Sequence, residues 1–314
     1  MGGSPLTSKD MNNFYSQNSH IKKATNAQQV FTSRYMNPLF NPATMKLPRE
    51  ACDSVTSPRS RGIILAEDVT GSMGVYLLSL FQTEFPSIIN KIYDTVSFDP
   101  HIMFMGVGDV EGDDAPLQVT QFETDLRILE QLKQIWLERG GCGNGYESYI
   151  FPWYFAAKHT KMDCFDKRGE KGFLFTFGDE GPTPRLTSSD IYRVFGDNDK
   201  YDGPSLTPKE CLEMASEKYY CYHIILRGDN YTRGRRDAWK NLMGGHACEL
   251  TDHHCLPELV LAILSMYEGM SKTEAIEKIE SSHAREVVAF ALKDHEEKVD
   301  DEATSSENAD IEVF

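Results

Sequence analysis

The sequence predicts an α/β fold: a doubly wound, mainly parallel central sheet with helices on both faces, plus a C-terminal helix and flexible termini. Three observations predict it. Short apolar runs such as Ile63–Ala66, His101–Gly108, Gly172–Phe177 and Tyr219–Leu226 lack polar alternation, as strands buried on both faces do. Between them lie segments whose apolar residues recur every three or four positions, as in helices with one buried face. Strand and helix alternate along the chain, which is the order of a parallel sheet with crossover helices.

Taken in order, residues 1–60 are polar, with scattered aromatics and no sustained period. They predict a loosely ordered N-terminal arm with a short helix near 25–35. The domain proper is expected over 61–268. Its first strand ends in Asp68-Val69-Thr70-Gly71-Ser72, and a helix over about 75–93 follows with Leu77, Leu78, Phe81, Phe85, Ile88, Ile89 and Ile92 inward. The second strand, His101–Gly108, ends in the acidic turn 109–114. Pro116 opens an antiparallel edge strand to Phe122. Thr124–Arg139 is predicted as a helix stopped by Gly140. The loop 140–148 (GGCGNGYES) leads into a helix of about 146–158, and a third strand ends in Gly178-Asp179-Glu180-Gly181. Residues 183–206 are polar and turn-rich. Thr207-Pro208-Lys209-Glu210 starts a helix, Tyr219–Leu226 is a strand, Asp237–Met243 a helix, Ala247–Leu250 a last short strand and Leu256–Glu268 a helix. A C-terminal helix is expected over 269–293, opened by the capping box Ser271/Glu274. The acidic tail 294–314 is too charged to pack.

The 314 residues suffice for one large domain with extensions, and the net charge is −16. The charge is uneven: residues 1–61 carry eight Lys/Arg against three Asp/Glu, whereas 294–314 carry one Lys against nine Asp/Glu. An acidic body argues against nucleic acid as a partner. No apolar run approaches transmembrane length, and the first residues have no apolar core of a secretory signal. Seven cysteines without framework spacing read as reduced thiols, which predicts a cytoplasmic setting.

The chemistry is concentrated at three strand ends, DVTGS, GDVEGDD and FGDEG. In a parallel sheet all three face one edge, where open α/β sheets bind their ligands. Asp68, Thr70, Ser72, Asn144 and Asp179 are therefore expected to converge from distant parts of the chain. Oxygen-only donors suit a hard divalent cation, Mg2+ first, with Ca2+ or Mn2+ as alternatives.

An Asp-x-Thr-Gly-Ser turn after a buried strand, a Gly-Gly loop before a helix and a later Asp after another strand resemble the von Willebrand factor A domain and its metal-ion-dependent adhesion site. The resemblance covers roughly 61–268 and implies a Rossmann-like sheet. It implies that Thr70 and Ser72 ligate the metal through their hydroxyls, and that Asp68 and Asp179 act directly or through metal-bound water. The family usually supplies a threonine from the middle loop; here Asn144 takes that position, with Cys142 a rival alignment and a poorer Mg2+ ligand. The implied function is intracellular, non-enzymatic binding of an acidic group on a protein partner, for which an AAA+ ATPase is the family's common associate. The alternative is a Mg2+-dependent hydrolase or phosphatase using Asp68. Against it, Thr70 stands where a second carboxylate is expected, and no phosphate-binding or nucleophile-elbow motif occurs.

Three other motifs have plainer readings. The string HACELTDHHC (246–255) fits no standard zinc spacing and reads as core and loop. DNDKYDG (197–203) departs from a calcium loop, and Arg227-Gly228-Asp229 reads as a turn. The carboxylates of the 294–314 tail would compete with a partner for an open metal.

Overall fold

The computed structural model describes residues 6–138, 140, 143–227 and 231–296. Six strands form the central sheet: β1 (Ser60–Asp68), β2 (Asp99–Val107), β3 (Leu117–Val119), β4 (Gly172–Gly178), β5 (Tyr219–Leu226) and β6 (Ala247–Leu250). Their order is β6-β5-β4-β1-β2-β3, with every pairing parallel except the edge pair β2–β3. The protein is thus a mixed α/β fold built on a mostly parallel sheet.

The strand interiors divide cleanly between two cores. Ile63 and Leu65 of β1, Phe173, Phe175 and Phe177 of β4, and Tyr222 and Ile224 of β5 enter one core. Ile64, Ala66, Leu174, Cys221 and Ile225 enter the other. This two-residue alternation between two apolar faces explains why the strands read as continuous apolar runs. Phe85–Thr95, Leu256–Tyr267 and Ser282–Ala291 supply the first core, whereas Ile150–His159, Ser188–Phe195, Pro208–Ser216 and Arg233–Met243 supply the second.

The N-terminal region differs from the loosely ordered arm expected of it. Ser8–Gln17 is a helix closed by a Thr7/Asp10 capping box, and its Met11, Phe14 and Tyr15 are buried in the first core. Tyr15 Oη donates to the carbonyl of Phe81 over 2.9 Å. Further on, Arg49–Ala51 pairs in parallel with Thr160–Met162. The scattered aromatics, too irregular for one amphipathic period, are anchors for separate short pieces.

Local sequence was overruled in three other places. The helix expected over 124–139 spans only Arg127–Leu132. Beyond it, the backbone of Trp136 exchanges hydrogen bonds of 2.8 and 2.9 Å with the side chain of Gln118, and Glu138 accepts from the backbone of Asp114 and Ala115. Those contacts hold the segment against the sheet edge. The turn-rich stretch 183–206 contains the helix Ser188–Phe195, capped by Thr187 and Asp190. The C-terminal helix is broken into Lys272–Glu277 and Ser282–Ala291, because Ser281 caps a new start. Of the acidic tail, Asp294 pairs with Lys240 at 2.7 Å and His295 is buried; residues 297–314 lie outside the described residues.

Candidate metal centre

The chain passes from β1 to β2 on one side and continues from β4 to β5 on the other, so β1 and β4 flank the point where strand order reverses. Such a switch point opens a crevice at the carboxyl ends of the strands. Glu67 pairs with Phe177 in register, which sets the end of β1, Asp68, beside the end of β4, Gly178. Asp179 is the next residue. The parallel register therefore brings together two motifs separated by more than a hundred residues of sequence.

At the end of β1 the turn folds on its own carboxylate. Thr70 donates to Asp68 Oδ1 twice, from its backbone N–H at 2.8 Å and its hydroxyl at 2.6 Å. Ser72 then reaches across the crevice, and its hydroxyl donates to Asp179 Oδ1 over 3.3 Å. Asp68, Thr70 and Asp179 are buried and Ser72 is half-buried. Four of the five expected ligands thus lie at the crevice as two hydrogen-bonded pairs, Asp68 with Thr70 and Ser72 with Asp179.

Asn144 is not among them. Its amide donates to Asp109 Oδ2 at 2.8 Å and to Glu111 Oε2 at 3.3 Å, while its carbonyl oxygen accepts from the backbone of Tyr146. It ties the 140–148 loop to the acidic turn after β2. The loop nevertheless borders the crevice: Gly71 donates its backbone N–H to the carbonyl of Gly140 at 3.4 Å, and Gly181 donates to Gly145 at 3.3 Å. Gly143 and Gly145 take φ of 64° and 88°, the left-handed region that favours glycine. Cys142, the rival to Asn144, lies outside the described residues, as do Gly228 and Asp229 of the Arg-Gly-Asp tripeptide.

Several participants are not evident from the motifs. Tyr149, at the start of the helix Ile150–His159, donates its hydroxyl to Asp68 Oδ2 at 2.6 Å, so both oxygens of Asp68 are held. Gly178 makes this possible, because a Cβ there would stand 1.9 Å from Tyr149 Oη. Glu67 and Glu147 bring further buried carboxylates, and among the described residues neither Glu67 oxygen nor Oε2 of Glu147 has a hydrogen-bond partner. Arg235 Nη2 lies 2.6 Å from Glu180 Oε2. A Glu directly after the apolar run Ile63–Ala66 was a visible signal for Glu67; Tyr149 had none, since it depends on where a helix docks.

These groups crowd buried carboxyls around the strand ends. Burial raises the Glu67 carboxyl well above its ordinary range, and Asp68 and Asp179 raise it further. Burial also raises Asp68, as does the charge of Asp179, against the hydrogen bonds from Thr70 and Tyr149 that lower it. Glu147 is pushed up to about 10, by burial first and then by Asp68, Asp109, Asp113 and Glu180. Two carboxylates and two hydroxyls brought to one crevice are oxygen donors of the kind a hard cation takes. The donor set therefore fits a divalent ion of the Mg2+ class, with Thr70, Ser72, Asp68 and Asp179 as the residues that would hold it.

No protein-family model matches the chain, and no curated protein matches it. Among solved structures, the pilus adhesin SpaC from Lactobacillus rhamnosus GG in its open conformation aligns at 10% identity with a TM-score of 0.46, over 70% of this chain and 31% of the adhesin. Proximal thread matrix protein 1 from the mussel byssus aligns at 8% identity with a TM-score of 0.39, over 71% of this chain and 49% of its own. The chain spans about a third of the one and half of the other. Likeness at this level says nothing of a shared activity.

Proposed function

We propose that the crevice between β1 and β4 binds Mg2+ and, through it, an acidic group of a protein partner, in the manner of a von Willebrand factor A domain. The observation that carries this reading is the 3.3 Å hydrogen bond between Ser72 and Asp179, which joins the two halves of the motif across the switch point. The buried carboxyls of Glu67 and Glu147 support it, because the crowding with Asp68 and Asp179 that raises them is what a dication would relieve. Neutral hydroxyl ligands leave a cation much of its charge, and Mg2+ keeps waters that an incoming carboxylate can replace. We take the partner to be a protein, with an AAA+ ATPase as the first candidate, and the setting to be cytoplasmic.

The hydrolase reading has less support. Thr70 stands where such an enzyme would place a second carboxylate beside Asp68. The test is a pull-down with wild type and Ser72→Ala, each with Mg2+ and with EDTA. Partners are expected only in the wild-type Mg2+ lane. The same partners in all four lanes would overturn the reading, as would Mg2+-dependent phosphatase turnover abolished by Asp68→Ala.

A further inference from the structure

The histidines of HACELTDHHC do not act together. His246 stacks on Tyr222 at 4.4 Å, and Cys248 is buried in the first core. The other end of the string behaves differently. After β6 the chain bends into a short 3-10 turn, His253–Cys255, whose preceding Asp252 accepts the backbone N–H of His254 at 3.0 Å. Cys255 is buried and pins the turn, whereas the His254 side chain is 62% exposed.

The facing element is the helical rod that follows the DVTGS turn. It runs as an α-helix over Gly74–Ser79, opens into a π turn over Leu80–Glu84, and resumes as Phe85–Thr95. A π turn inserts an extra residue and rotates the side chains around it, and such turns are frequent at functional sites. Here it ends on Glu84, whose side chain is 1% exposed. Ser79 Oγ lies 3.0 Å from both Glu84 oxygens, and His254 Nδ1 lies 2.7 Å from Oε1. His253 sits beside His254 with ring centroids 4.0 Å apart, and is held edge-on by Tyr76 at 4.8 Å. One ligand atom from each of Glu84, His253 and His254 falls within 4.8 Å of the other two.

We propose that Glu84, His253 and His254 form a second metal site, separate from the β1–β4 crevice and selective for a borderline transition ion of the Zn2+ class. Two imidazoles and one carboxylate are a donor set that binds Zn2+ or Fe2+ and leaves coordination positions open. Hard Mg2+ prefers oxygen alone, so the two sites differ in the ion they take. A buried carboxylate needs a compensating charge. Among the described residues no Lys or Arg pairs with Glu84, and His254 supplies that charge only when protonated. A bound dication supplies that charge, with Ser79 Oγ, 3.4 Å from His254 Nδ1, beside the same two carboxylate oxygens. The exposure of His254 places the open positions toward solvent, where water or a partner's side chain completes the shell. Because β6 is parallel to its neighbour, the site lies at the same edge of the sheet as the crevice.

A rival cluster lies on the other side of the same turn. Asp252, Cys255 and His283 also come within reach of one another, and His283 Nε2 is 2.8 Å from Asp252 Oδ2. Asp252 is already occupied as the cap of the turn. Only the Glu84 set contains a buried carboxylate with no fixed cation.

The test is a titration of the full chain, stripped with chelator, with Co2+ as a visible-absorption probe and Zn2+ in competition, and bound metal counted by elemental analysis. With excess Mg2+ present to fill the crevice, wild type and Ser72→Ala should each take up one equivalent with nitrogen-ligand d–d bands. His254→Ala, exposed and so benign to folding, should weaken Zn2+ by more than the roughly 10–100-fold that loss of an outer-sphere partner costs. Glu84→Gln should do the same, with circular dichroism reporting whether the buried change disturbs the fold. No stoichiometric uptake by wild type would overturn the proposal. So would uptake that survives His254→Ala but is lost in Cys255→Ser, His283→Ala or Ser72→Ala.

Discussion

Tyr149 places its hydroxyl 2.6 Å from Oδ2 of Asp68, and Gly178 is the residue that lets it in. A tyrosine from a helix start thus holds the carboxylate at the end of the central strand, across a glycine at the end of the next. Gly178→Ala should push Tyr149 away, since the new methyl would fall 1.9 Å from its oxygen. Overpacking of this kind costs about 1–3 kcal/mol, read as a lower urea midpoint. The stabilisation by Mg2+ should shrink with it, because Asp68 loses its set position.

Mg2+ should stabilise the wild-type fold by mass action, by about 2.7 kcal/mol at a hundred times its dissociation constant. Ser72→Ala and Asp179→Asn should abolish most of that gain. Thermal melts with and without Mg2+ check this, and equal shifts in wild type and variants would place the ion elsewhere.

Asp68 also sets a pH dependence. Its carboxyl is raised in the fold from 3.8 to about 7, so between those values the folded chain holds a proton that the unfolded chain has lost. Stability from this group is therefore fully present at low pH and is lost as pH rises toward 7. Asp68→Asn removes the effect. In EDTA, the stability of Asp68→Asn relative to wild type should increase from pH 5 to pH 8 by roughly 1–3 kcal/mol. Comparing the two proteins at each pH cancels the titration of the buried histidines.

The N-terminal helix should behave as part of the domain. Phe14 is 3% exposed within the first core, so Phe14→Ala should cost about 3–5 kcal/mol in urea unfolding. A detached arm would tolerate the change.

Helix starts that rest on one hydroxyl can be tested singly. Thr187 accepts from the backbone of Asp190 at 3.1 Å and opens a helix inside a stretch that reads as turns. Thr187→Ala should cost about 1 kcal/mol. An unchanged melting temperature would mean that packing of Ile191 and Phe195 alone holds that helix.

The sequence by itself determined the sheet. Apolar runs such as Ile63–Ala66 and Phe173–Phe177 are buried on both faces whatever surrounds them, so their composition specifies strand and parallel neighbours. It also determined that Asp68, Thr70, Ser72 and Asp179 end two of those strands, and register then brought them together. Tertiary structure decided the rest, because it depends on contacts between distant segments. Asn144 went to Asp109 and Glu111 because the 140–148 loop packs on the turn after β2. The 136–138 segment left its helix because Gln118 and the backbone of Asp114 and Ala115 offered it partners. Glu84, the last residue of a π turn, meets His254 across 170 residues. A local pattern records what each segment buries, whereas the group a polar side chain meets is set by how whole elements dock.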